Sequence, residues 1–166
     1  MSWKNLIFLF IVFSFASCGE IIETDLNFKD SSYVSSFTTS DPQFDKYKRA
    51  FEEDYYVETG QVISTEAIHI NLKDKVDDKN SYVGICIIWP GGRDIIIKEA
   101  YWKTLSEFSR KAIVYHELGH CALGRTHDNS LDEDGRATSI MNQYLIAGSQ
   151  FYSYYEQYIR ELFTEF

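Results

Sequence analysis

The feature that most constrains the fold is the segment VYHELGHCALGRTHD at residues 114–128, which holds three of the four histidines of the chain. His116 and His120 are four residues apart, so on an α-helix they project from the same face. Two imidazoles in this arrangement can bind one zinc ion at about 2.0–2.1 Å. Glu117 follows His116 directly and would lie beside such an ion. The segment therefore predicts a helix that carries a zinc site.

A catalytic zinc site takes three protein ligands and keeps one position open for water. Zinc lowers the pKa of that water to about 7, and a neighbouring carboxylate can accept its proton and pass it to a leaving amine. We predict this general-base role for Glu117, and we predict His127 as the third ligand. Asp128, Glu133 and Glu156 are the alternatives to His127.

Local signals define both ends of the predicted helix. Ser106 or Ser109 can cap its N-terminus, and apolar residues recur at helical spacing through residues 106–123. Gly124 then follows, and glycine is the residue that most often ends a helix. We therefore place the helix at residues 106–123.

The rest of the chain predicts two further helices and a small sheet. Helical spacing of apolar residues marks residues 41–60 and the segment from about Gln150 to the end. Strand patterns occupy residues 67–72, 82–89 and 94–102, and the short Pro-Gly-Gly turn between the last two predicts an antiparallel hairpin. His69 lies in the first strand and points away from Ile68 and Ile70, toward solvent or a second layer.

The N-terminus resembles the signal peptide of bacterial lipoproteins. A short apolar run follows Lys4, and the small residues Ala16 and Ser17 precede Cys18. The resemblance implies that residues 1–17 are removed and that Cys18 carries a lipid, which anchors a protein without making it span the membrane. Ordinary cleavage near this point is the alternative.

The polar residues up to position 40 suggest a partly disordered tether over residues 18–40 and a single domain over residues 41–166. A net charge of −9 with no basic cluster excludes nucleic acid as a partner. An exported protein could pair Cys86 with Cys121, but two free buried thiols fit the sequence equally well.

The segment HELGHCALGRTH also resembles the extended zinc signature of the metzincin metallopeptidases. SIMNQY, with Met141, is similar to the Met-turn that lies beneath the metal in that family. The resemblance implies an α+β, metzincin-like zincin fold with a small mixed sheet, an active-site helix and a C-terminal helix. It also makes Tyr144 a possible oxyanion stabiliser.

The sequence departs from the family pattern at two places. Gly124 is four residues after His120, whereas the family has three, and one added residue rotates the helix exit by about 100°. Tyr144 is three residues after Met141, whereas some family members have a tyrosine two residues after the methionine.

These observations predict a zinc-dependent endopeptidase that acts on peptides or proteins as a monomer. We expect it in the bacterial cell envelope, attached only by its lipid, or secreted. Substrate would lie antiparallel to the strand at residues 94–98. The alternatives are a catalytically inactive metal-binding lipoprotein that serves as an interaction module, and a peptidase with glutamate as its third ligand.

Overall fold

The structure is a computed structural model that describes residues 33–74 and 82–164 together with the backbone of Ile22–Glu23. Its elements are β1 (Ile22–Glu23), a 3₁₀ turn (Pro42–Phe44), α1 (Asp45–Thr59), β2 (Ile68–Lys73), β3 (Gly84–Trp89), β4 (Gly92–Lys98), α2 (Glu99–Trp102), α3 (Glu107–Leu123), α4 (Gly148–Ser153) and α5 (Tyr155–Thr164). This part of the chain is α+β with a small mixed sheet, as predicted. None of its helices is long and apolar enough to cross a membrane. The predicted signal peptide and Cys18 lie outside the described residues.

The sheet has the strand order β1-β3-β4-β2. β3 and β4 form the predicted antiparallel hairpin, whereas β2 pairs with β4 in parallel and β1 pairs with β3 in parallel. Residues 93–97 of β4 are paired on both sides, with β2 and with β3. The expectation that substrate binds along residues 94–98 is therefore wrong, because that strand is internal.

The third predicted strand is shorter than its apolar pattern suggested. β4 ends at Lys98, and the following residues form the short helix α2. This helical turn buries Trp102, whose ring packs against Phe44 and edge-on against Tyr47 at centroid distances of 4.9 and 5.7 Å. Its indole N–H donates to Gln43 Oε1 at 2.8 Å. Packing of Trp102 on the start of the first helix thus ends the strand.

Helix α3 passes behind the sheet and has the predicted ends. Ser106 is its N-cap and accepts a hydrogen bond from the Ser109 N–H at 3.2 Å. Gly124 follows its last residue in the left-handed region at φ 69°. Every residue from 112 to 121 is buried, because β3 and β4 cover one side of the helix and α1 and α4 pack on the others.

The predicted C-terminal helix is divided in two. α4 and α5 are separated by Tyr154, whose φ of −121° is outside the helical range. α4 packs mainly against α3, whereas α5 packs mainly against α1. The break lets the chain change from one partner helix to the other.

A buried carboxyl side chain on the outer face of the sheet joins the N-terminal segment to the domain. Asp94 accepts hydrogen bonds from the Tyr33 hydroxyl at 2.6 Å and from the Ser35 hydroxyl at 2.5 Å, and His69 Nδ1 lies 3.2 Å from its other oxygen. We call these four residues the Asp94 cluster. Packing therefore extends upstream at least to Tyr33, although the tether was predicted to continue to residue 40. His69 faces this second layer, which is one of the two orientations expected for it.

Candidate metal centre

Three imidazoles converge at the C-terminal end of α3, and we call them the histidine cluster: His116, His120 and His127. One ring nitrogen from each lies within 4.8 Å of the other two, and among the described residues these are the side chains grouped closely enough to hold a metal ion. The rings of His116 and His120 have centroids 4.6 Å apart, and the ring of His127 is 4.9 Å from that of His120.

The other candidates for the third ligand are not part of the histidine cluster. The side chain of Asp128 instead accepts a hydrogen bond from the Ser130 N–H at 2.9 Å. The Ser130 hydroxyl, and after it this interaction, lower the pKa of Asp128. Glu133 and Glu156 are exposed. The geometry therefore favours the histidine over the carboxylate alternatives.

The added residue before Gly124 is accommodated at the helix terminus. Gly124 adopts the left-handed conformation, and the Arg125 N–H bonds back to the Gly119 carbonyl at 3.0 Å. The Gly124 N–H bonds to the His120 carbonyl at 3.1 Å, which is the αL type of helix ending, and the chain reverses there. The Arg125 guanidinium then donates to the Leu162 carbonyl at 2.9 Å, which fixes the loop on α5. The reversal brings His127 back beside the helix.

Backbone carbonyls orient two of the three rings. His116 Nδ1 is 2.8 Å from the Ile140 oxygen, and His120 Nδ1 is 2.6 Å from the Arg125 oxygen. A carbonyl can only accept, so each Nδ1 carries the proton and each neutral ring presents an Nε2 lone pair. The two Nε2 atoms lie 3.0 Å apart.

The protonation states of the two helical histidines are those that metal binding requires. Burial lowers the pKa of His116 well below its ordinary value and lowers the pKa of His120 to about 4, so both rings are neutral at pH 7. Two neutral rings protonated at Nδ1 cannot bond to each other through Nε2, because both atoms are acceptors. Two nitrogens bound tetrahedrally to one zinc ion are about 3.3 Å apart, close to what is seen here. The residues therefore fit a divalent metal ion.

The turn that contains Met141 packs directly against α3 between the two helical histidines. Met141 is fully buried, and its N–H donates to the Ser139 hydroxyl at 3.0 Å. A Cβ atom at Gly119 would lie only 3.1 Å from Met141 Cε, so the absence of a side chain there admits the methionine. The Asp128 N–H bonds to the Met141 carbonyl at 3.0 Å, which joins the turn to the loop of His127.

Glu117 lies on the sheet side of the same helix. Its side chain is fully buried and packs on Gly84 of β3, where a Cβ atom would lie 3.0 Å from Glu117 Cδ. Cys86 and Cys121 form a disulfide close by, with Cα atoms 5.7 Å apart, which answers a question that the sequence left open.

Tyr144 is 46% exposed, and its N–H donates to Asn142 Oδ1 at 3.0 Å. Its role as an oxyanion stabiliser stays a prediction.

Sequence reasoning missed several residues that shape the site. Gly84 and Gly119 were not predicted, although an isolated glycine inside a strand often marks a close approach of another group. The carbonyls of Ile140 and Arg125 carry no sequence signal, because any residue can supply a backbone oxygen.

No protein-family model, no curated protein and no solved structure matches the chain. The resemblance to metzincins therefore rests on its motif residues.

Proposed function

We propose that the chain is a zinc-dependent endopeptidase in which His116, His120 and His127 hold the metal and Glu117 is the general base. One observation carries the proposal: two buried, neutral imidazoles direct their Nε2 lone pairs at each other, with a third imidazole beside them. Such a donor set suits zinc, and it also suits copper, iron or nickel, so metal analysis belongs in the test.

Glu117 favours a catalytic over a structural site. Bound zinc supplies Lewis-acid polarisation and makes water acidic enough to lose a proton near pH 7. The Glu117 side chain follows a ligand directly in sequence and can accept that proton and return it to the leaving amine. Three histidines leave the fourth position of a tetrahedral site for water or substrate, whereas structural zinc sites use four protein ligands.

The substrate proposal changes with the strand order. Because β4 is internal, we propose that an extended peptide pairs with the edge of β3 that faces away from β4, at the end where Gly84 meets Glu117. β1 pairs with this side of β3 further along, at Ile87 and Ile88. Backbone pairing of this kind is a common way for proteins to bind extended peptides.

The disulfide supports an oxidising location, because disulfides persist outside the cytosol. Together with the lipoprotein-like N-terminus, it favours a protein anchored by the lipid on Cys18 at the bacterial cell envelope.

Metal content and cleavage of a mixed peptide library test the proposal. We expect about one zinc per chain, and we expect Glu117→Gln to keep the metal while cleavage slows by about 10²–10⁴-fold, the usual contribution of general acid–base catalysis. Glu133→Gln, an exposed glutamate in the following loop, is the matched control and should cleave at the wild-type rate. If wild type cleaves no peptide, the chain is a metal-binding module and not an enzyme, and if Glu117→Gln cleaves at the wild-type rate, Glu117 is not the general base.

A further inference from the structure

Helix α3 contacts strand β3 at two points that are in register. Glu117 packs on Gly84, and one helical turn later Cys121 is bonded to Cys86. Residues 84 and 86 are two apart on a strand and so face the same side, whereas residues 117 and 121 are four apart on a helix and also share a face. The two contacts therefore place Glu117 and Cys121 against one face of β3.

Glycine is needed at position 84 because the Glu117 side chain occupies the space of a Cβ atom. A methyl group there would lie 3.0 Å from Glu117 Cδ and 3.2 Å from its Cγ, and would overlap Oε1. Both residues are buried, and the atoms that a methyl group would displace are those of the Glu117 side chain, so the carboxylate would have to move from its position. The β3 backbone thus sets where the carboxylate lies.

The histidines depend on different contacts. His116 is oriented by the Ile140 carbonyl and His120 by the Arg125 carbonyl, and both of these carbonyls lie beyond the C-terminal end of α3. β3 supplies neither of them. The position of Glu117 and the orientation of these two histidines are therefore set by separate parts of the chain.

From this separation we propose that Gly84 and the Cys86–Cys121 disulfide are positioning elements for Glu117. They hold its carboxylate where it can exchange a proton, and they leave metal affinity to the histidines and their carbonyls. The inference rests on the proposed function for its catalytic part, whereas the contact itself can be tested in the metal-free protein.

The experiment is a double-mutant cycle of Gly84→Ala and Glu117→Ala, read first by the Tm of the metal-free protein. In the wild-type background, Gly84→Ala should lower Tm by about 5 °C or more, because overpacking a core destabilises it. In the Glu117→Ala background the added methyl group has space, so Tm should change by about 1 °C or less. If Gly84→Ala lowers Tm equally in both backgrounds, Gly84 and Glu117 are not coupled and the proposed contact is wrong.

The second readout is catalytic. Gly84→Ala should lower kcat about 10- to 100-fold, since a misplacement of about 1 Å can have that effect, while KM and zinc affinity stay within about threefold. Replacing both disulfide cysteines by alanine should lower kcat in the same selective way, and this second variant is informative if Gly84→Ala folds poorly. A parallel loss of zinc affinity would overturn the proposed separation.

Gly148→Ala is the matched control for inserting a methyl group at a buried glycine. Its Cβ would lie 2.5 Å from the Ser109 hydroxyl, two helical turns before His116. It should lower Tm and leave kcat unchanged, and a similar fall in kcat would count against a specific role for Gly84. If wild type cleaves no peptide, the proposed function and the catalytic part of the inference fail together, while the Tm cycle still decides whether Gly84 and Glu117 are coupled.

Discussion

The histidine cluster and the Asp94 cluster lie on opposite sides of the sheet, and both bury polar side chains. In the Asp94 cluster each close contact joins a donor to an acceptor: two hydroxyls donate to one carboxylate oxygen, and His69 Nδ1 faces the other. In the histidine cluster, the Nε2 atoms of His116 and His120 are both acceptors and lie 3.0 Å apart.

This difference distinguishes the structural Asp94 cluster from the candidate metal site. Buried polar groups normally have partners of complementary type, as Asp94 does. Two lone pairs directed at one point repel each other until a cation lies between them. The same kind of side chain, a histidine, therefore has a packing role on one side of the sheet and, as we propose, a metal-binding role on the other.

The largest expected difference is between a histidine removed from the histidine cluster and a histidine removed from the Asp94 cluster. We expect His120→Ala to weaken zinc binding by well over 100-fold, because even residues that only orient a ligand contribute about 10–100-fold. Zinc at about 100 times its Kd stabilises the wild type by about 2.7 kcal/mol, and this gain should disappear in the variant. Thermal unfolding with and without zinc measures both effects.

His69→Ala is the matched control, since it removes the same side chain from the Asp94 cluster. His69 is part exposed at 27% and has no contact with the histidine cluster among the interactions described, so the stabilisation by zinc should equal that of wild type. A loss of the zinc response in His69→Ala would contradict the division between the two clusters.

Acidification should destabilise the metal-free protein through the histidine cluster. The unfolded chain protonates these imidazoles near pH 6.5, whereas burial lowers the pKa of His120 to about 4 in the folded chain and lowers that of His116 as well. The unfolded state therefore binds more protons between these values, so stability is complete above pH 6.5 and falls as the pH drops toward 4. His120 alone accounts for about 3 kcal/mol.

Urea unfolding in the presence of a chelator, from pH 7.5 to pH 4, measures this dependence. The difference between wild type and His120→Ala isolates the contribution of one ring from that of the carboxylates, which act at lower pH. Stability that rises on acidification through this window would show that the rings are protonated in the folded state.

The contrast between the clusters also explains what could be read from the sequence. The histidine cluster lies within residues 116–127, and local rules give its helix, a cap at Ser106 or Ser109 and the stop at Gly124. The Asp94 cluster joins residues 61 positions apart, from Tyr33 to Asp94, and no local pattern indicates such a contact.

The same reasoning accounts for the wrong substrate strand. The hairpin of β3 and β4 follows from its short turn, but the parallel pairing of β2 with β4 joins segments that are distant in sequence. Whether a strand is internal depends on that distant partner. The role of Gly84 could not be predicted for the same reason, since it depends on which residue of the distant helix α3 packs on it.

Substitution of Asp94 should give the smallest effect and a graded one. Asp94→Ala leaves the hydroxyls of Tyr33 and Ser35 without their acceptor and should cost about 2 kcal/mol of unfolding free energy. Asp94→Asn should cost less, because the amide keeps one oxygen for the hydroxyls and its NH₂ can donate to the other tautomer of His69. Both variants should bind zinc with wild-type affinity, measured by calorimetry. A loss of zinc affinity that follows the loss of stability would show that the two sides of the sheet are coupled, and that the Asp94 cluster does more than fasten the N-terminal segment.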